Sequence, residues 1–220
     1  GNWALEYSAG NVAASVVLAP GPDAAWSGVL ATLTVSTTAD VVDGNTASIA
    51  ALLGAKGADG KISLREAILA ANNTPGLDLI GFNISGGGVR TIQPGSALPT
   101  ITDAVIIDAT SQPGYTGSPL IMLDGNSAGG AANGLAIAAG GSTVRGFVIN
   151  RFGASGILIS GGGGNVIAGN YLGTDAAGAI DRGNGYAGVN LLNSANNLIG
   201  GSVAVDRNVI SGNDDDGIDI

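Results

Sequence analysis

At 220 residues, with 39 glycines and only 11% charged residues, the chain has the length of one domain or two small ones but not the composition of an ordinary globular enzyme. Its 45% hydrophobic content can fill a sizeable core, while 4% aromatic content calls for a narrow, aliphatic one. A net charge of -9 (17 acidic against 8 basic residues) would repel a phosphate backbone, which excludes nucleic acid as the partner.

The chain has no cysteine and no histidine. That removes disulfide scaffolds, thiolate zinc sites, cysteine nucleophiles and every Ser-His-Asp arrangement, and leaves Asp, Glu, Arg, Lys and Tyr for any chemistry. An oxidising compartment is compatible with it, because no thiol is present to mispair. The longest apolar stretches, such as Ala47–Ala55, are too short or too interrupted to span a bilayer, so no membrane insertion is expected. The chain opens at Gly1 without a basic-then-apolar leader and stops at Ile220 just after a strand-like Gly-Ile-Asp-Ile, so we read it as a segment with flanking domains.

In chain order, residues 1–33 carry Trp3, Trp26 and an Ala/Pro/Gly-rich middle without a period, and read as a linker or the tail of a preceding domain. Residues 34–75 form an N-terminal cap. Within it Ile62-Ser-Leu-Arg-Glu-Ala-Ile-Leu-Ala-Ala-Asn72 predicts one helix over residues 63–72, with Leu64, Ala67, Ile68 and Ala71 on a single face and Pro75 after its end. Ser63 and Glu66 have the spacing of a capping box. Such a helix would cover an exposed sheet end. From residue 76 onward strands are predicted at Asp78–Ile84, Val89–Gln93, Ala104–Asp108 and Pro119–Leu123, separated by Gly- and Pro-rich turns.

Beyond Pro119 proline disappears, while 23 of the 39 glycines lie there. Strands paired on both sides would exclude proline, and glycine would turn the chain between them. Gly134-Leu-Ala-Ile137, Gly156-Ile-Leu-Ile159, Gly188-Val-Asn-Leu191 and Gly217-Ile-Asp-Ile220 share apolar second and fourth positions, and the first interval is 22 residues. Thr143-Val-Arg-Gly146, Asn165-Val-Ile-Ala-Gly169 and Asn197-Leu-Ile-Gly-Gly201 each begin nine residues after such a glycine, and Phe147-Val-Ile and Asn208-Val-Ile-Ser-Gly212 begin nine before one. The next intervals, 32 and 29, place insertions at Thr174–Tyr186 and Ser202–Arg207. The predicted fold is all-β: a parallel β-helix over residues 76–220 with three short strands per coil, one N-terminal capping α-helix and further coils beyond Ile220. Rows Leu135, Ile157, Val189, Ile218 and Ile137, Ile159, Leu191, Ile220 should point inward, and Asn165, Asn170, Asn197, Asn208 and Asn213 should sit at structural turns.

Ala39-Asp-Val-Val-Asp-Gly through Asp59-Gly-Lys-Ile-Ser-Leu-Arg-Glu-Ala-Ile68 resembles the CSLREA domain, with Ile62 in place of that motif's cysteine. Thr91-Ile-Gln-Pro-Gly-Ser-Ala-Leu-Pro-Thr-Ile-Thr102, Asn165-Val-Ile-Ala-Gly-Asn-Tyr-Leu-Gly-Thr-Asp175 and Asn208-Val-Ile-Ser-Gly-Asn213 are similar to right-handed, pectin-lyase-like β-helix repeats. The resemblance covers roughly residues 34–220. It implies an exported, multi-domain, adhesin-like bacterial protein at the cell surface or outside the cell, in contact with carbohydrate or another surface component.

Candidate chemistry is sparse. Asp214-Asp-Asp216 with Asp219 would suit paired-carboxylate glycoside hydrolysis. After Arg65, however, the bases are Arg90, Arg145, Arg151, Arg182 and Arg207, in no lyase-like pattern. No catalytic or cofactor-binding residue is assigned. A polysaccharide lyase or glycoside hydrolase with its active site mostly outside these residues is the alternative. Asp59-Gly-Lys-Ile-Ser-Leu-Arg-Glu66 also resembles the second half of an EF-hand loop, but Ala55 and Gly57 stand where side-chain oxygens belong. Calcium would need Asp40, Asp43 or Asn45 beside Asp59 and Glu66, so no cofactor is expected and the cap explains the motif. The inserted loop Thr174–Tyr186, with Asp175, Asp181, Arg182, Asn184 and Tyr186, is the best candidate for a small polar binding surface.

Overall fold

The computed structural model describes residues 30–220, a mostly β chain with two short helices. The sequence-based linker therefore lies outside the described residues as far as residue 29. Its last residues do not belong to a linker, because β1 (Thr32–Val35) already pairs in a sheet.

After β1 come α1 (Ile49–Gly54) and α2 (Leu64–Asn72), then β2 (Asp78–Phe82), β3 (Arg90–Ile92), β4 (Val105–Asp108) and β5 (Ile121–Asp124). The remainder is β6 (Leu135–Ile137), β7 (Thr143–Arg145), β8 (Phe147–Asn150), β9 (Ile157–Ser160) and β10 (Val166–Ala168), then β11 (Tyr171–Leu172), β12 (Val189–Leu192), β13 (Leu198–Ile199), β14 (Val209–Ile210) and β15 (Ile218–Asp219). All pairings between these strands are parallel. The first sheet has the order β1-β2-β4-β7-β10-β13, the second β3-β5-β8-β11-β14 and the third β6-β9-β12-β15. From β6 onward the chain visits the third, first and second sheets in rotation. Ile101 bridges to Ile137, so it stands in for a third-sheet strand beside the irregular layer of β2 and β3.

Registers align the inward side chains into continuous rows. Ile80, Ile107, Val144, Ile167 and Ile199 follow one another in the first sheet. Ile92, Leu123, Ile149, Leu172 and Ile210 do so in the second, and Ile101, Ile137, Ile159 and Leu191 in the third. Four layers of these rows are buried, while Leu191, Ile199 and Ile210 are only partly covered. Each fully buried aliphatic side chain contributes about 1.5–3 kcal/mol, and β-branched residues suit the pleat, so the rows supply most of the driving force. All three phenylalanines, Phe82, Phe147 and Phe152, are buried, and the rings of Phe82 and Phe147 meet edge to face at 5.3 Å. The expected row through Leu135, Ile157, Val189 and Ile218 holds its register. Ile220 departs from the other row: it lies outside β15 and is 97% exposed.

At Gly134, Gly156 and Gly188 glycine leads a third-sheet strand because of space. A Cβ on Gly156 would lie 2.8 Å from the Gly188 carbonyl oxygen of the next layer. At the corner between the first and second sheets, by contrast, Gly146 and Gly169 have φ of 79° and 66°, which L side chains disfavour.

Asparagine side chains tie the corners together. Asn165 Oδ1 accepts from the Ser142 amide (2.9 Å), and Asn197 Oδ1 one layer on accepts from the Asn165 amide and Nδ2. Asn170 Oδ1 accepts from the Phe147 amide (3.0 Å) while its Nδ2 donates to the Val144 carbonyl (3.0 Å), and Asn208 accepts from the Asn170 amide. Asn184, which the strand pattern did not single out as a turn residue, forms the third ladder with Phe152 and Asn213. Asn165, Asn170 and Asn184 are wholly buried.

At the N-terminal side, α2 packs on β1 and β2, with Leu64, Ala67, Ile68 and Ala71 all in the core. Ser63 and Glu66 make the predicted capping box, and the helix stops at Asn72. The expectation of a single helix is corrected by α1, which Ser48 caps and which buries Ile49 and Leu52. Its six residues are fewer than two helical turns, too short for a periodic signal.

Asn170→Ala should destabilise the protein by about 2–3 kcal/mol in chemical denaturation, because it strands the buried Phe147 amide and the Val144 carbonyl. The outward-facing Asn190→Ala should change stability by less than about 0.5 kcal/mol, and equal effects would contradict a structural ladder. Asp78, at the start of β2, is buried with Oδ2 unpartnered; burial first, and Asp103 second, push its carboxyl up to about 6. The unfolded chain loses this proton near the ordinary value of 3.8, so stability falls as pH rises from there to about 6. Asp78→Asn should flatten that fall and exceed the parent by about 1 kcal/mol at neutral pH, with no advantage near pH 4.

Candidate functional site

The acidic residues weighed for calcium come together only partly, and backbone amides occupy their oxygens. Glu66 is buried: Oε1 accepts from the Asp43 (3.0 Å) and Gly44 (2.8 Å) amides, and Oε2 from the Ser63 amide (2.9 Å) and hydroxyl (3.1 Å). Asp43 Oδ2 accepts from the Ala58 (2.7 Å) and Asp59 (3.3 Å) amides, while Asp59 caps its own turn at Lys61. Asn45 accepts from Ala47. Asp40 is gripped through both oxygens by Arg65, whose guanidinium also donates to the Ala97 and Ser96 carbonyls. Burial alone would raise the Asp40 carboxyl, but the bonds from Arg65 and Gly95 outweigh it and hold it below its ordinary value. Among the described residues no three acidic side chains group in a way that could hold a metal ion. The arrangement clamps the segment before α1 onto α2.

The remaining charges scatter. Arg90 is buried and donates to the carbonyls of Ile84, Ser85, Gly86 and Gly88, shaping the turn before β3. Arg145 pairs with Asp108 at 2.6 Å on the outside of the first sheet. There burial would raise the Asp108 carboxyl, but hydrogen bonds from Arg145 and Thr110 bring it below its ordinary value. Asp214, Asp215 and Asp216 lie in an exposed turn, and Asp219 accepts from the Tyr186 hydroxyl at 2.6 Å, which pushes Tyr186 up to about 12. These residues do not converge with a base.

A hollow of about 490 Å³ beside Arg207 is lined by Ile199, Ile210 and Ile218. It is the inward face of the β13, β14 and β15 layer, over which no described strand lies. Its lining continues the core rows, with Ser202, Arg207 and Asn208 at its side.

The inserted loop makes a more specific feature. Only its first part projects, as a small hairpin in which Thr174 bridges Asp181; Asp175 Oδ1 accepts from the Ala179 (2.9 Å) and Ile180 (3.1 Å) amides. Those backbone bonds hold Asp175 below its ordinary carboxylate value. Residues 182–186 rejoin the layered corner: the Arg151 amide donates to the Arg182 carbonyl, and Gly185 and Tyr186 donate to Phe152 and Ala154. Asn184, expected on the binding surface, is thus buried in a ladder, and Tyr186 faces Asp219.

Between this hairpin and the outer face of the second sheet lies a groove of about 280 Å³. Val89, Thr91 and Met122 line one part, and Asn150, Arg151, Asp175 and Arg182 another. Asn150 is 1% exposed; its Nδ2 donates to the Thr174 carbonyl at 2.8 Å, while Oδ1 has no donor. Arg151 grips both oxygens of Asp124 from a backbone at φ 59°, uncommon for a residue other than glycine. Arg182 makes no ion pair among the described residues. Sequence reasoning reached Asp175 and Arg182 through the insertion but not Asn150 or the coupling of Arg151 to Asp124, which depend on register between layers. No protein-family model matches the chain, and no curated protein or solved structure matches it either.

Glu66→Ala strands three amides and should lower stability by about 3 kcal/mol or more, with Glu66→Gln intermediate because one acceptor oxygen remains. Thermal unfolding of the parent should be the same with calcium or with chelator; a calcium-dependent rise in melting temperature would show that these oxygens take a cation instead.

Proposed function

We propose that the chain is a non-enzymatic segment of an exported bacterial protein, a right-handed parallel β-helix with a CSLREA-like cap, serving as a stiff stalk that displays turns and loops to a surface or carbohydrate partner. The observation that carries this reading is the unbroken register of the third sheet, where Leu135, Ile157, Val189 and Ile218 pair in sequence while the chain rotates through three parallel sheets. Repetition of one strand position at each layer suits a long rigid element, because each layer needs only its neighbours. Right-handed winding is the hand that parallel crossovers favour.

Display follows from the insertion. The hairpin of residues 174–181 adds to a corner without breaking a strand, and both its ends bond to the layer beneath. Carbohydrate is a fitting partner class because polar and apolar groups share the groove beside it. Among the described residues the exposed Asp214, Asp215 and Asp216 turn makes no ion pair with a base, and this arrangement does not favour the hydrolase or lyase alternative.

An experimental structure together with a turnover assay tests both halves. The expected result is a right-handed winding and, on pectate, other uronans and neutral plant and bacterial polysaccharides, neither new reducing ends nor an ultraviolet-absorbing unsaturated product. A left-handed winding or separately packed sheets would overturn the stalk; sustained product release would overturn the non-enzymatic role.

A further inference from the structure

The outer face of the first sheet carries a pattern that neither the core nor the insertions use. Its register sets Thr32, Leu79, Ile106, Thr143, Val166 and Leu198 in one unbroken outward row, crossing all six strands without a charge. The four middle residues of the row are half-buried and the two at its ends are exposed. Single exposed apolar residues are ordinary on a protein surface, but a continuous row of them marks a contact face. Two positions along each strand, a second outward row runs Thr34, Gly81, Asp108, Arg145 and Ala168. Its only charges are Asp108 and Arg145, paired at 2.6 Å.

The strand order β1-β2-β4-β7-β10-β13 puts the middle of this face between β4 and β7, where that ion pair also lies. This position selects the occupant. A two-fold axis along the strands at that point turns the face onto itself, so that β1 lies over β13 of a second copy, β2 over β10 and β4 over β7. Asp108 then meets the second copy's Arg145 and Arg145 its Asp108, while Leu79 meets its Val166 and Ile106 its Thr143. An isologous contact requires such self-complementarity, and the strands stay aligned as in packed sheets. An axis along the stack would instead lay Ile106 on Asp108 and set the charges on the apolar row. With about 4.8 Å per step and four-residue strands, the face measures roughly 24 by 13 Å; two such faces bury about 600 Å², half the lower bound of a standard interface, so the pairing is weak.

We propose that the outer face of the first sheet is a self-association surface, through which two copies of this chain pair side by side with their stacks running in opposite directions. Such pairing needs the register of the first sheet and not the display role. Sedimentation equilibrium of the full chain, from about 10 μM to about 1 mM, should show monomer and dimer with a Kd on the order of 100 μM. Arg145→Asp, at a half-exposed side chain, brings like charges together at the centre and should weaken association about tenfold or more. The chain has no cysteine, so the register can be read by cross-linking with a short bismaleimide. A mixture of Leu79→Cys and Val166→Cys should yield cross-linked dimers. Either variant alone should not, because like positions would lie three layers, about 14 Å, apart. These two substitutions leave the charges in place, so the cross-linking decides even where Arg145→Asp lowers the melting temperature. A chain that stays monomeric at the highest concentration, or a mixture that yields no more dimer than its separate components, would overturn the surface. Association that Arg145→Asp leaves unchanged would also overturn it and place the contact at the open layer of β13, β14 and β15.

Discussion

Every corner of this molecule faces the same difficulty. Strands stacked in parallel satisfy their amides along the ladder, but where the chain turns from one sheet to the next the ladder lapses, and the turning residues are buried by the layers above and below. A buried amide without a partner is expensive, about 1–3 kcal/mol each. The asparagine ladders answer it, because a carboxamide offers an acceptor and donors on one short side chain: Asn170 takes the Phe147 amide and gives to the Val144 carbonyl at one corner. Asn165 and Asn184 do the equivalent at two others. Removing such a group leaves the aliphatic rows in place but unfastens the geometry that aligns them.

The N-terminal end solves a related problem with different means. There the layer is irregular, so no neighbouring layer can supply a repeating carboxamide, and a carboxylate takes the role. Glu66 accepts four hydrogen bonds at once, two from its own helix start and two from the segment before α1. The same side chain thereby caps α2 and fixes the approach of the chain to it. The Asp-Gly-Lys-Ile-Ser-Leu-Arg-Glu spacing resembles half of a calcium loop, yet backbone amides already use the oxygens of Asp43 and Glu66 that such an ion would need.

What could be read in the sequence was whatever repeats or is local. The glycine-led strands stood out because Gly134, Gly156 and Gly188 are forced by contact with the next layer, and the Ser63 and Glu66 spacing because a capping box is complete within four residues. Strands β2 to β5 were found to within two or so residues from turn chemistry alone. What escaped notice was short or non-local. α1 is below the length at which periodicity speaks, and β1 is a four-residue strand defined only by its pairing with residues 79–82. Asn184 was assigned to an exposed loop because an insertion counted from the sequence does not say where it rejoins the corner. Asn150 carries no local signal at all; its meaning comes from Thr174, which reaches it from the next layer.

That last pair shows how an insertion is held in a layered scaffold. Fixing a loop costs conformational entropy, about 1–2 kcal/mol for each residue whose backbone is held. The hairpin here begins at Thr174, whose carbonyl is bonded to Asn150, and ends at Arg182, whose amide donates to Gly173 and whose carbonyl accepts from Arg151. Asp175 fastens its interior through Ala179 and Ile180. The hairpin's bonds to the layer beneath offset that cost, and Arg151 holds a backbone conformation it would not choose alone because the surrounding bonds require it.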